Sequence, residues 1–284
     1  MPQPSITTQS ITLAPIAGAI GAEIAGVDLS QDLPEATVAA IRRALLDHLV
    51  VFFRGQSLTP AQFMAFASRF GRPVKYPFVK GLEDFPEITP ILKREEDRVN
   101  FGGLWHSDTV YQQEPPMGTI LYGLEIPPYG GDTEFANQYL AYEALSAPLR
   151  AFLDGLTAVN MSGKGAVQKT RSDAIERASA GLKGDELVSR HPVVRTHPET
   201  GRKALYVNAA HTTQFEGMSE EESQPLLEFL FRHQVKPEFT CRFRWEKGSL
   251  AFWDNRCAQH NPINDYHGFR RLMHRVTLAG DVPV

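Results

Sequence analysis

The chain has little cysteine: two residues, Cys241 and Cys257, in 284. Two thiols build no disulfide framework, and these two are not spaced as a zinc site or a redox pair. They read as reduced thiols in or near a core, the state expected of a cytoplasmic protein. Long apolar runs are also missing, and nothing approaches the ~18 uninterrupted residues of a membrane span. The first residues are polar and carry no basic segment followed by an apolar one, so no secretory signal is expected. An excess of basic residues is absent too. With 29 Lys and Arg against 33 Asp and Glu the formal net charge is -4, which argues against nucleic acid as a partner. It leaves room for a local cationic pocket that holds a small anion. There is no repeat and no low-complexity tract.

What is present is an ordinary globular composition, 42% hydrophobic and 22% charged, sufficient for a substantial core. Residues 11–29, rich in Ile, Ala and Gly, read as short strands joined by turns. Residues 32–48 carry apolar positions at helical spacing. The run LVVFF at 49–53 reads as a buried strand. Residues 59–70 form a second expected helix, with Thr59 as cap, Pro60 in the first turn, Gln62 completing a capping box and Gly71 as the stop. Strands are expected at 119–124, 133–136, 203–208, 239–245, 249–253 and 272–278. Helices are expected at 138–153 and 219–233. Residues 72–104 are irregular and read as a substrate loop, and about 161–190 reads as a charged insertion with a helical stretch. No composition break divides the chain, so 1–284 is expected to be one domain, mainly β with helices packed outside.

The segment Trp105-His106-Ser107-Asp108 holds a His-x-Asp pair. On an extended segment residues two apart point the same way, so an imidazole and a carboxylate can grip one metal and leave most of its sphere open. A histidine from a distant strand would complete a two-His-one-carboxylate triad suited to iron(II). His-x-Asp alone is a weak signal. His260 is the best third member, since it follows an apolar strand and a polar run. Eleven residues on stand Arg271 and then Arg275. Within a strand, 271 and 275 share a face, and a guanidinium fork holds a carboxylate bidentately. Two inward arginines without anions would be costly, and bound anions remove that cost. By the same alternation Arg270 and His274 point away from the site. His191 and His197 precede prolines and read as turn residues.

Beyond these residues the chain resembles the taurine dioxygenase and phenoxyacetate-herbicide dioxygenase (TauD/TfdA) family of iron(II)- and 2-oxoglutarate-dependent enzymes. The resemblance runs over nearly the whole length. It rests on WHSDTVY (105–111), EPPMGTILYG (114–123), GGDTEF (130–135), HPVVRTHPETGRKALYVN (191–208), WDNRCAQH (253–260) and RRLMHRVTLAGD (270–281). It implies a double-stranded β-helix, or jelly roll. It implies His106, Asp108 and His260 as ligands of Fe(II), with Thr133 and Arg271 on the distal carboxylate of 2-oxoglutarate. Arg275 would hold the anionic head of the prime substrate, and Trp253 would pack near the site. O2 is the further co-substrate, and succinate and CO2 are released.

The chain departs from the taurine pattern at four pocket positions. Tyr76 and Val79 stand where taurine enzymes have a histidine and a tyrosine, Gly102 where they have an asparagine, and His211 at an aromatic position. These four point to a different or larger tail than taurine's. A sulfonate, an alkyl sulfate ester or an aryloxyalkanoate is expected, hydroxylated and cleaved at C–O or C–S. A hydroxylase or desaturase of an amino acid or biosynthetic intermediate is the alternative within enzymes. A metal-free jelly-roll module that binds an anion is the alternative outside them. Relatives suggest a homodimer or homotetramer.

Overall fold

Every residue of the strand Val50–Phe53 is buried, because the sheet that contains it is covered on both faces. In the computed structural model, which describes residues 11–164 and 187–284, Val51 and Phe53 face one layer, and Val50 and Phe52 face the other. The first layer is helical. It holds Val38, Ile41 and Leu45 of α1 (Glu35–His48) and Phe63 and Phe66 of α2 (Pro60–Ser68). The capping box of Thr59 and Gln62 forms as its sequence dictates.

The covered sheet has eight strands. Their order is Thr12–Pro15, Ala22–Ala25, Val50–Phe53, Leu250–Asp254, Gly118–Glu125, Arg271–Leu278 and Pro73–Val74, with Thr89–Lys93 also paired to Arg271–Leu278. Its second face meets a three-stranded sheet ordered Thr240–Phe243, Thr133–Asn137, Ala258–Pro262. Phe52 stacks on Phe243 at 4.0 Å between ring centroids, and Phe135 meets Trp253 at 5.6 Å. This is the double-stranded β-helix, mainly β with flanking helices. A smaller three-stranded sheet, Thr212–Phe215, Thr157–Met161 and Val188–Pro192, lies beside α5 (Glu220–His233), which follows α3 (Gln138–Glu143) and α4 (Ala147–Leu153).

Several local expectations change; the strand expected over 203–208 covers only Lys203–Leu205, and that over 239–245 only Thr240–Phe243. Residues 72–104 are not wholly irregular, because Thr89–Lys93 is a strand at the sheet edge, where Pro90 withholds no needed donor. The helix expected over 138–153 is two helices, and Pro148 opens the second. His191 is a buried strand residue rather than a turn residue, and its Nε2 lies 2.9 Å from the Gln112 carbonyl. Most of the expected insertion, 165–186, lies outside the described residues. Among the described residues no helix is long and apolar enough to cross a membrane. Cys241 and Cys257 are both free and buried.

Candidate metal centre and adjoining cavities

His106 and His260 meet as partners in an isolated antiparallel bridge. The His106 amide donates to the His260 carbonyl at 3.1 Å, and the His260 amide donates back at 2.9 Å. Such a directly opposed pair sends both side chains to one face, and the ring centroids stand 4.2 Å apart. Asp108, two residues along, joins them. Its Oδ1 lies 3.7 Å from His106 Nε2 and 3.9 Å from His260 Nε2. One donor atom from each of the three residues falls within 4.8 Å of the others, a set that could hold a metal ion.

Supporting contacts orient the donors. The His106 Nδ1 lies 2.6 Å from the Leu104 carbonyl, so that nitrogen carries the proton and Nε2 presents its lone pair. Thr119 Oγ1 donates to Asp108 Oδ2 at 2.6 Å, and Asn255 Nδ2 donates to Thr119 Oγ1 at 2.9 Å. Asn255 Oδ1 in turn accepts from the Asp108 amide at 3.3 Å and from Trp253 Nε1 at 3.0 Å. One carboxylate oxygen is thereby tied to the sheet while Oδ1 faces the histidines. Burial disfavours the Asp108 charge, but Arg275, His260, His106 and the Thr119 hydroxyl together hold its carboxyl well below the usual range. Burial, and then the His106 imidazole competing for any second proton, keep the His260 imidazole well below its ordinary value. Neutral imidazole is the form that binds metal. The residue after Asp108, Thr109, takes a left-handed backbone with φ 43°, strain of a kind that collects at functional sites.

Two adjoining cavities open on this cluster. One, of about 450 Å³, is lined by Thr133, Arg271, His260, Trp253, Leu121 and Ile91. The other, of about 360 Å³, is lined by Tyr76, Leu104, Asp108, Thr109, Ala210 and His211. Phe101, Gly102, His106 and Arg275 border both. Arg271, Met273 and Arg275 share the inner face of their strand and are buried, while Arg270 turns outward to Glu125 at 2.8 Å. Arg275 Nη2 stands 3.0 Å from Asp108 Oδ1. The Nε and Nη2 of Arg271 are buried without hydrogen-bond partners, and Thr133 Oγ1 already accepts from Trp245 Nε1 at 3.0 Å. Orphaned guanidinium donors beside a hydroxyl that can still donate are what a carboxylate would satisfy. The donor triad and this cationic cavity therefore fit Fe(II) and 2-oxoglutarate.

Tyr76, Gly102 and His211 are thus brought to one cavity, but Val79 is not among its lining residues. It packs behind, in an aromatic cluster with Tyr76, Phe78 and Tyr111. His211 is buried and lies between the rings of His106 and Tyr111, at 6.1 and 5.0 Å. His274, half-buried, stays on the other strand face. Sequence reasoning missed Thr119, Asn255, Phe101 and Leu104. For Thr119 a signal existed, since strand alternation sets a polar side chain inward in an otherwise apolar run. Elsewhere, His197, Asp254 and Cys257 also cluster. There Arg256 grips Asp254 through Nε and Nη2, at 2.9 and 2.6 Å, and His197 Nε2 lies 3.1 Å from Oδ2. That carboxylate is fully engaged, as a structural network would have it.

The chain is similar to known proteins over nearly its whole length. The family described as "Taurine catabolism dioxygenase TauD, TfdA family" matches residues 12–277. An alkylsulfatase of Acinetobacter baylyi is 38% identical over 97% of this chain and 87% of its own length. An alpha-ketoglutarate-dependent sulfate ester dioxygenase of Pseudomonas putida is 39% identical over 95% of this chain and 90% of its own. A crystal structure of a taurine dioxygenase from Burkholderia xenovorans superposes with a TM-score of 0.83 at 43% identity, covering 97% of this chain and 91% of that one.

Proposed function

The chain belongs to the TauD/TfdA family of iron(II)- and 2-oxoglutarate-dependent dioxygenases, and from that premise we propose that it oxidises a small organic anion of the sulfate-ester, sulfonate or aryloxyalkanoate class. The observation that carries this reading is the border between the two cavities. There Arg275 is buried beside Asp108, between one cavity that suits a dicarboxylate and one walled by aromatic rings. An anionic head held by Arg275 would lay its carbon chain against Tyr76, Phe101 and His211, with the C–H next to the head closest to the metal donors.

In this reading His106, Asp108 and His260 hold Fe(II), and Arg271 with Thr133 holds the distal carboxylate of 2-oxoglutarate. Iron with its bound co-substrate supplies the oxidising power, so that substrate C–H, 2-oxoglutarate and O2 give substrate C–OH, succinate and CO2. The chain's own residues do the positioning. Thr119 and Asn255 keep Asp108 turned to the donors, and Arg275 fixes the head of the substrate. The apolar walls formed by Trp253, Leu121 and Ile91 keep water from the reacting centre. Hydroxylation at a carbon bearing an ester or ether oxygen would give a hemiacetal-type product whose C–O bond breaks as its hydroxyl becomes a carbonyl, leaving an aldehyde or ketone and releasing sulfate or a phenol. An anion-binding module without chemistry would have no use for the three converging donors.

Of the three classes, sulfate esters are the first choice, because an alkylsulfatase and a sulfate ester dioxygenase are among the relatives above, and Tyr76, Gly102 and His211 in the cavity depart from the pattern of taurine enzymes such as the third. The test is succinate release from purified chain with Fe(II), 2-oxoglutarate and a panel of alkyl sulfates, sulfonates and aryloxyalkanoates. Stoichiometric succinate with at least one class is expected; none with any class would overturn the reading. We also assign the chain to the cytoplasm, on its two buried free thiols. We read it as a homodimer or homotetramer, which light scattering on the purified chain would check.

A further inference from the structure

Lys93 ends the edge strand Thr89–Lys93, in register with Arg271 on the neighbouring strand. Ile91, two residues earlier, lines the cavity that holds Arg271 and Thr133. Strand alternation sends Lys93 to the same inner face. The side chain is only 4% exposed, and its Nζ has no hydrogen-bond partner among the described residues. Nζ stands over the Tyr266 ring, 4.6 Å from the centroid, and the Arg271 guanidinium carbon lies 5.7 Å from that same centroid.

Two buried cations thus share one ring; Asp132 acts on Arg271 through its charge and Asp97 and Asp265 act on the ring, but among the described residues none of these acids hydrogen-bonds the Lys93 ammonium. Asp132 Oδ2 accepts from Arg242 at 2.7 Å, and none of the ion pairs formed by Asp132 or Asp265 includes Lys93. A buried ammonium without an anion is strongly disfavoured, so its retention calls for a charge that arrives from elsewhere. The ring spreads some of that charge but does not cancel it.

We propose that Lys93 is a positioning residue for 2-oxoglutarate, a second buried positive charge that acts beside Arg271 on the distal carboxylate. This rests on the reading of Arg271 as the distal clamp. Lys93 does not line the cavity wall. It acts through its field and by holding Tyr266 and Arg271 in place, where low polarity keeps the interaction strong.

The test uses the full chain loaded with Mn(II) and calorimetric titration with two 2-oxo acids, 2-oxoglutarate and 2-oxopentanoate. The second lacks the distal carboxylate. In Lys93→Met, 2-oxoglutarate is expected to bind roughly tenfold more weakly, with 2-oxopentanoate unchanged. Lys93→Arg is expected to restore most of the preference for 2-oxoglutarate. Without either acid, Lys93→Met is expected to melt no lower than the natural chain, because an uncompensated charge has been removed. Equal weakening of both acids, no weakening of either, or a Lys93→Met chain that fails to fold would each overturn the proposal. Arg271→Gln separates the underlying reading. If it erases the preference for 2-oxoglutarate while Lys93→Met leaves it intact, the clamp stands and Lys93 falls. If Arg271→Gln leaves the preference intact, the clamp itself falls.

Discussion

The two halves of the cavity are built from different material. Around the metal donors, His260 projects from a paired strand, His106 from the backbone bridge to it and Asp108 from the turn two residues on, and buried partners hold His106 (Leu104) and Asp108 (Thr119, itself held by Asn255). Around Tyr76, Phe101, Gly102 and His211, side chains come from connecting segments and rest mainly on one another's rings. A sheet register cannot shift by one residue without turning every side chain over. Connecting segments can change one ring at a time. The first half is therefore suited to chemistry that must stay the same, and the second to selectivity that can vary.

That contrast can be broken or sharpened by substitution. The largest effect is expected for Asp108→Ala or His106→Ala, which should abolish succinate release and Mn(II) binding together. Retained turnover would sink the ligand assignment. Next comes Thr119→Val, which keeps the shape but frees Asp108 Oδ2. It should weaken metal binding by roughly 10–100-fold, read by Mn(II) titration, and an unchanged affinity would show that the carboxylate needs no support. Tyr76→Ala in the other half should raise KM for the prime substrate by about tenfold through lost wall contact, with KM for 2-oxoglutarate unchanged. Val79→Ala, one layer back, should shift it less. Equal effects would place Val79 in the wall after all.

Gly102 couples the halves. Its φ is +80°, and a Cβ there would stand 3.2 Å from His106 Cε1. Gly102→Ala should cost about 1–2 kcal/mol from the left-handed backbone and weaken metal binding as the imidazole is pushed, seen as a lower Tm and a weaker Mn(II) isotherm. The smallest effect is a control away from both halves. Burial pushes the Cys241 thiol up to about 12, and burial with the Asp254 charge nearby also holds the Cys257 thiol well above its ordinary value. Below that range both thiols stay protonated in the folded chain. At pH 8 a thiol reagent should label neither before denaturation and both after it; fast labelling of the native chain would contradict this burial.

Much of the sheet was legible because its signals are local. Alternation in FTCRFRW set Cys241, Phe243 and Trp245 inward, all three buried in the structure, though Phe239 left that face by entering the one-turn helix Pro237–Phe239. The same period of two set Arg271 and Arg275 on one face, and His106 with Asp108 on another. Thr89–Lys93 was not legible, since Pro90 masks a strand unless its position at an edge is known. Val79 was assigned to the pocket by its place in a motif, yet Phe101 and Leu104 occupy the wall.

By itself the sequence carried the His-x-Asp pair and the cationic strand, because each is a residue type at a fixed short spacing, and it carried the family through motifs spread along the chain, which also pointed to His260. Only the tertiary structure decided that His106 and His260 face each other across a backbone bridge, that Thr119 and Asn255 steady Asp108, and that Lys93 lies buried beside Arg271. Those relations join residues far apart in the chain. They depend on which strands pair and in what register, and no local pattern encodes that.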